Sequence, residues 1–365
     1  MRRRNDGFTL IEILVVLSLL GVLMGLSVGF LSRAGRGTLL QQACHELAAR
    51  LGSARNSSVG NDEAFVSLDP VAGGGAVVRA FRFRQVYHCA FEDLESASEP
   101  GVLRREGGVE ITDQGVPSRE GKHAALDSGG KLSLGSPPWL QMVDGIQTRC
   151  RLNPNPGGNA ATMPLFRKGT AFAVRLLRAE NDRFDVEVEI DFKPDADGAG
   201  GGKVLLRTGT RDGGPLPEWR APLLAGRWSD LRVSYDRSSV SIFVNESLRA
   251  SLPGVGRKMK PDFDAPFVVG GGYSGGLDSL VISGIFEDDD DRFAIPSQVS
   301  WVDDQGKPAE QPIRVHFLNR NLDPRRHGKP IDVRFRLDDP GKPDGPQRVV
   351  HVALSGEVFV REPGR

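Results

Sequence analysis

The sequence predicts an α+β domain, a long N-terminal helix plus a small antiparallel sheet, into which a second, all-β sandwich domain is inserted. Three observations carry this. An apolar run from Phe8 to Leu31 passes into an amphipathic pattern that reaches about Asn61. Two sets of alternating strand patterns, near residues 64–83 and 313–358, flank the middle of the chain. Between them lie about 200 residues of short alternating segments broken by turn residues, at the spacing of a β-sandwich. The 45 glycines and 24 prolines among 365 residues favour a turn-rich, strand-rich body. That length allows about two or three domains, and 39% hydrophobic residues suffice for packed cores. A formal net charge of zero gives no support for nucleic acid or an acidic polymer as a partner.

The N-terminal stretch is Gly7-Phe8-Thr9-Leu10-Ile11-Glu12, followed by the apolar run Ile13 to Leu31. As a helix, the roughly 24 residues from Phe8 span ~36 Å, enough to cross a hydrocarbon layer of ~30 Å. Arg2, Arg3 and Arg4 precede the run, so the positive-inside rule keeps the N-terminus in the cytoplasm and sends the remaining chain across. No convincing A-x-A cleavage site follows Leu31, so the helix is expected to stay attached as an anchor. Glu12 is the anomaly. An ionised side chain within a membrane costs on the order of 2.5–3.5 kcal/mol at the centre and calls for a cationic partner. Gly21, Gly25 and Gly29 recur every four residues as a small-residue stripe suited to close helix packing, with local helix flexibility as the alternative reading.

The combination of cleavage glycine, aromatic residue, spaced glutamate and apolar helix resembles the class III signal of type IV pilins and type II secretion pseudopilins. The resemblance implies that a prepilin peptidase cuts between Gly7 and Phe8 and that the new Phe8 amine is N-methylated. It also gives Glu12 its partner, the Phe8 amine of a neighbouring subunit during assembly. The implied location is the bacterial inner membrane, single-pass, with the C-terminal domains periplasmic and the subunit incorporated into a pseudopilus. The implied partners are prepilin peptidase, other pseudopilins or pilins, and the inner-membrane assembly platform.

From Thr38 to about Asn61, Leu39, Leu40, Ala43, Leu47, Leu51 and Ala54 return at helical spacing, so the membrane helix is expected to continue as a soluble one. Ala64–Leu68 and Ala76–Phe83, separated by Gly73-Gly74-Gly75, read as a β-hairpin. The run from Ala43 to Leu68 resembles the GspH/FimT group of minor pseudopilins, in which this helix packs on a small antiparallel sheet.

In the middle of the chain the clearest signature is Ala225-Gly226-Arg227-Trp228-Ser229-Asp230-Leu231-Arg232-Val233-Ser234-Tyr235-Asp236, continuing through Val240-Ser241-Ile242-Phe243-Val244-Asn245-Glu246. Leu231, Val233 and Tyr235 alternate on one strand and Val240, Ile242 and Val244 on the next, with the turn at residues 236–239. This hairpin, with Pro266–Gly271 and Ser274–Ile282, resembles the laminin-G-like, concanavalin A-type jelly rolls over roughly 200 residues. One departure is Asn245-Glu246 where that family usually has Asn-Gly. The resemblance speaks to fold, because jelly rolls serve carbohydrate binding, protein binding, hydrolysis and architecture alike.

Ile313–Leu318, Ile331–Leu337 and Arg348–Val358 supply three further strand patterns resembling the closing sheet of the same pseudopilin group. The expected organisation is therefore a leader at 1–7, a transmembrane and assembly helix at 8–37, a first pilin-like part at 38–86, a jelly-roll insert at 87–291 and closing pilin-like strands at 292–365. A loop of a compact domain tolerates such an insertion.

Catalysis finds no positive motif: the sequence has no G-x-S-x-G, P-loop or dinucleotide fingerprint, so no cofactor is expected. Asp185, Glu187, Glu189 and Asp191 alternate along one strand pattern, as acids do in some jelly-roll glycosidases. The favoured reading is an exposed acidic face opposite Phe184, Val186, Val188, Ile190 and Phe192. Asp288 to Asp291 offer hard oxygens to a calcium ion, but consecutive acids without EF-hand spacing read instead as a solvated interdomain linker. None of His45, His88, His123, His316, His327 and His351 has zinc-site spacing, so no metal is expected. Cys89 and Cys150 both fall in the insert and are the candidate disulfide, a pairing the sequence does not fix, while Cys44 reads as a small buried helix residue. The leading function is a non-enzymatic, minor pseudopilin-like structural subunit. The rivals are a pilin-anchored adhesin or carbohydrate-binding module, with a glycan or protein ligand on the jelly roll, and a glycosidase using Glu187 and Glu189.

Overall fold

The amphipathic pattern at 38–57 and the strand patterns that follow it fold together, while the middle of the chain forms a body of its own. The computed structural model describes residues 10–59, 63–71, 75–92, 102–113, 121–156, 160–194, 201–211, 214–215, 220–237, 239–253, 257–262, 264–287, 292–303, 305–310, 312–324, 327–338 and 345–363; within residues 10–37, side chains are described only at 15, 17–20 and 22. Two compact units result, one formed by Met1–Phe81 with Asp288–Arg365 and the other by Arg82–Glu287. The strand Ala76–Cys89 carries the chain from the first into the second.

In the first unit a helix runs from Leu10 to Ser57. Leu40, Ala43, Cys44, Leu47, Leu51 and Ala54 fall on one stripe at three- and four-residue intervals and are all buried. They share a core with Ala64, Val66, Val315, Phe317, Val333, Phe335, Val350 and Val352. The helix stops at Ser58, whose hydroxyl donates to the Arg55 carbonyl at 2.8 Å. The Arg320 N–H then donates to the Ser58 carbonyl at 2.9 Å, and Arg55 Nε donates to the Arg320 carbonyl at 2.9 Å, fastening the helix end to a tight turn. That turn has positive φ at both Asn319 (49°) and Arg320 (62°), the geometry that joins strands Ile313–Leu318 and Asn321–Leu322.

Strand Glu63–Pro70 lies between Ala76–Cys89 and Ile313–Leu318, so the expected hairpin forms and a distant strand closes against it. Ala76, Val77 and Val78 pair with Ile295, Ala294 and Phe293. A separate antiparallel sheet is ordered Val299–Val302, Ile331–Leu337, Gln347–Val352, Val358–Arg361.

The second unit is an all-β, jelly-roll-like sandwich. One antiparallel sheet runs in the order Ser247–Pro253, Ser239–Val244, Ser229–Tyr235, Ile146–Pro154, Gly275–Glu287, with His123–Leu126 and Val109–Thr112 continuing from the last strand. The facing sheet runs Gly202–Arg207, Arg183–Phe192, Phe172–Arg178, Thr162–Lys168, Phe267–Gly270, Lys131–Ser133, Arg104–Glu106. Alternation decides which side chains meet between the sheets: Leu231, Val233, Tyr235, Val240, Ile242 and Val244 from one, Phe184, Val186, Val188, Ile190 and Phe192 from the other. The rings of Tyr235 and Phe192 meet edge-on at 5.2 Å.

The expected hairpin is in register, with Leu231 opposite Val244, Val233 opposite Ile242 and Tyr235 opposite Val240. Its following turn tolerates the missing glycine because Asn245 (φ 50°) and Glu246 (φ 61°) both adopt the left-handed conformation of a two-residue turn. Asn245 compensates with two bonds to Asp230: its N–H donates to the Asp230 carbonyl at 2.8 Å, and its Oδ1 accepts the Asp230 N–H at 2.9 Å. At Gly275, φ is 146° and a Cβ would stand 2.3 Å from the Asn153 carbonyl oxygen, so glycine is required there.

Candidate functional site

Of the residues the sequence assigns to processing and assembly, Gly7 and Phe8 lie outside the described residues. Glu12 lies within the helix Leu10–Ser57, as do Gly21, Gly25 and Gly29, but the side-chain surroundings of these four positions are outside the described set. Among the described residues no helix is long and apolar enough to cross a membrane. Val15, Leu17, Leu19, Leu20 and Val22, the apolar side chains described in this stretch, are all exposed.

The acidic strand corrects one expectation. Asp185, Glu189 and Asp191 are buried rather than presented as an open acidic face. The neighbouring strands supply cations in register. Arg207 NH2 lies 2.6 Å from Asp185, which also accepts the Thr208 hydroxyl at 2.7 Å and the Ala221 N–H at 2.5 Å. Arg175 bridges Glu187 at 3.2 Å and Glu189 at 2.7 Å. Lys203 adds a contact to Glu189 at 2.5 Å, and Lys260 reaches Asp191 at 3.4 Å.

Burial alone would raise the Asp185 carboxyl, but the bonds from Thr208, Ala221 and Arg207 hold it below the usual carboxylate value. The Lys203 contact, opposed by burial and aided by Arg175, lowers Glu189 likewise. A glycosidase's general acid needs the opposite, a carboxyl held protonated at neutral pH, so neither group is set up for that role and both stand as ion-paired carboxylates. The cations were present in the sequence as Arg175, Lys203 and Arg207. What was missing was the strand order that sets them beside the acids.

The candidate disulfide is also corrected: no bridge joins Cys89 and Cys150, and all three cysteines are buried thiols. Burial pushes the Cys44 thiol up to about 12 and raises Cys150 further, aided by the Asp230 and Asp278 charges. Cys150 sits on the inward face of its strand opposite Leu231, where it packs as a small apolar group. The histidines take part in stacking and hydrogen bonding: His316 stacks on Phe65 at 4.8 Å, His123 meets Trp228 edge-on at 5.2 Å, and His327 Nε2 accepts the His316 N–H at 3.1 Å. Among the described residues no group of three or more His, Cys, Asp or Glu side chains could hold a metal ion.

One concavity is formed by residues the sequence reading did not single out as a site. A pocket of about 530 Å³ in the first unit is lined by Ile313, His327, Lys329, Ile331, Asp332 and Arg334, among others. Asp332 is held there by His351 Nδ1 at 2.6 Å and Arg361 NH2 at 3.0 Å. Burial would raise its carboxyl, but these two partners bring it below the ordinary value. No spacing rule finds this pocket, because its lining comes from two strands of different sheets and a connection.

The prokaryotic N-terminal methylation motif matches residues 2–28. The N-terminus carries a prepilin-type methylation signal. The match contains Gly7, Phe8, Glu12, Gly21 and Gly25, and this pilin signal implies processing by prepilin peptidase and assembly with other pilins. Three solved structures show low likeness to the chain. The chain is similar to domain 4 of AbnA, an extracellular arabinanase from Geobacillus stearothermophilus, at 18% identity over 55% of this chain and 93% of that one, with a TM-score of 0.37. It is similar to the binding domain of botulinum neurotoxin serotype C1 at 9% identity, covering 60% of this chain and 47% of that one, with a TM-score of 0.33. For a SAP-like pentraxin from Limulus polyphemus the values are 10%, 60%, 75% and 0.28. At these scores the likenesses carry no argument about the sandwich's role. No curated protein sequence matches the chain.

Proposed function

We propose that the chain is a minor pseudopilin-like structural subunit of a bacterial type II secretion or type IV pilus-like assembly, displaying a jelly-roll domain in the periplasm. The observation that carries this reading is the methylation motif at residues 2–28. In it, cleavage falls between Gly7 and Phe8, residues 8–31 anchor the chain in the inner membrane, and the Glu12 carboxylate docks on the Phe8 amine of a neighbouring subunit. Gly21, Gly25 and Gly29 form the close-packing stripe of the assembled helices. Residues 38–86 and 292–365 form a pilin-like domain interrupted by the insert at 87–291. The division of the structure at Phe81/Arg82 and Glu287/Asp288 supports that organisation, as does a helix whose buried stripe packs on antiparallel strands from both ends of the sequence.

The reading is tested by intact-mass analysis of the protein recovered from membranes. The expected mature chain begins at a methylated Phe8, and replacement of Gly7 leaves the full-length mass. Recovery of the wild-type chain with its first seven residues attached would defeat the proposal. Co-purification of other pilin-type subunits with the processed chain is the second expected result.

A further inference from the structure

Main-chain alternation leaves one residue of the first unit's pocket with no strand beside it. The Leu337 N–H donates to the Pro346 carbonyl at 3.0 Å, which fixes the alternation along strand Ile331–Leu337. Residues 331, 333, 335 and 337 turn their main-chain groups toward Gln347–Val352, and 332, 334 and 336 turn theirs to the other side. On that side Arg336 and Arg334 stand opposite Ser300 and Val302, where the neighbouring strand ends. Beyond Val302 the chain doubles back, with the Asp303 N–H donating to the Lys307 carbonyl at 2.8 Å. The N–H and C=O of Asp332 therefore point past the end of that strand, and among the described residues no hydrogen bond reaches either. Asp332 is also a wall of the pocket of about 530 Å³. An open strand edge is a template for a further extended chain, and this one borders a cavity of the size that takes a short ligand.

The remaining lining selects the kind of chain. Ile313, Pro330 and Ile331 supply apolar wall. The Asp332 carboxylate is shared by His351 at 2.6 Å and Arg361 at 3.0 Å, with Arg334 NH2 at 4.0 Å. His327 uses its Nε2 to accept the His316 N–H, so that nitrogen carries no proton. Lys329 is exposed and makes no ion pair among the described residues. The lining is thus close to charge balance, with Lys329 and Arg334 against Asp332, and its single excess cation suits one carboxylate. An open strand edge, an apolar wall and one uncompensated ammonium together fit the last residues of a polypeptide, which bring extended main chain, a terminal side chain and a terminal carboxylate. We propose that this pocket binds the C-terminus of a partner polypeptide. Its main chain pairs with the N–H and C=O of Asp332, its apolar last side chain lies against Ile313, Pro330 and Ile331, and its carboxylate is held by Lys329. The site lies within the first unit and stands whether or not the chain assembles into a filament.

The test is fluorescence anisotropy with the full-length protein in detergent and labelled pentapeptides of sequence Gly-Ser-Thr-Ala-X, where X is Val, Leu, Phe or Asp. Saturable binding is expected for an apolar X with a free carboxylate. Amidation of that carboxylate should weaken binding about fivefold or more, the loss of one charge-assisted hydrogen bond. Methylation of the peptide nitrogens one at a time should abolish binding at the position that pairs with Asp332 and be tolerated at the end of the peptide outside the pocket. Lys329→Gln, a change at an exposed side chain, should keep the wild-type melting temperature, lose the same factor toward the free acid and bind the amidated peptide as the wild type does. Four results would each overturn the proposal: no saturable binding by any of the peptides, equal binding of acid and amide, undiminished binding of the acid by Lys329→Gln, or tolerance of methylation at every peptide nitrogen. A preference for X as Asp would remove the apolar wall from the recognition and overturn it as well.

Discussion

Arg207 and Asp185 face each other across adjacent strands at 2.6 Å, the carboxylate buried at 3% exposure and the guanidinium half in solvent. The asymmetry sets their worth. Removing the acid leaves the Thr208 hydroxyl and the Ala221 N–H without their acceptor, whereas removing the base leaves those two bonds intact. Asp185→Ala should therefore lower unfolding stability by about 2–4 kcal/mol, and Arg207→Ala by no more than about 1 kcal/mol. Urea denaturation of the two variants checks this, and equal losses would contradict it.

Acid should unfold the protein through the same groups. Asp185, Glu189 and Asp332 all titrate below their ordinary values in the folded chain. A depressed folded pKa contributes stability above the unfolded value, about 4 for carboxylates, and that contribution is lost as pH falls through the folded values. The melting temperature should carry this contribution in full down to about pH 5 and lose it below about pH 4. Lys203→Gln and Arg361→Gln should each flatten the acid limb.

The thiols should be silent in the native state. With Cys44 raised to about 12 and Cys150 raised further, thiolate is scarce at neutral pH and burial blocks access. Alkylation without reductant should leave the folded chain unmodified and add three groups after denaturation. Two unreactive thiols after denaturation would reveal a bridge.

Asn245 should matter more than a turn residue normally does. It holds positive φ and makes two bonds to Asp230. Asn245→Ala should cost about 1–2 kcal/mol through αL strain and the lost acceptor, measured by thermal denaturation.

In the membrane, Glu12→Ala should leave the mature mass unchanged yet lower the share of the subunit recovered with other pilin-type subunits. Undiminished incorporation would remove Glu12 from the assembly role.

The sequence-legible parts are those governed by local periodicity. The stripe from Leu40 to Ala54 follows from helical spacing, and the hairpin of Leu231–Tyr235 with Val240–Val244 follows from alternation on both sides of a turn. What alternation cannot supply is the identity of the lateral neighbour. The acids of Arg183–Phe192 read as solvent-facing until strands Phe172–Arg178 and Gly202–Arg207 are set beside them. The same limit hides the pocket, since Ile313 and Arg334 belong to different sheets. Cys89 and Cys150 read as a candidate pair because both fall in the insert of an exported chain, yet both are buried as free thiols in the apolar core.

Val78 and Phe293 stand as partners on adjacent strands, so the chain departs from the first unit and returns to it at neighbouring positions. For the closure of that pairing the residues between those positions count as a loop, and loop length is thermodynamically cheap: each doubling costs about 0.6 kcal/mol. A lineage could exchange, enlarge or delete the intervening 200-odd residues by two cuts without re-registering a single strand of the remaining sheet. The position is in effect a socket, and a variant with residues 82–287 replaced by a short Gly-Ser bridge is the minimal chain with which to ask what the plug contributes.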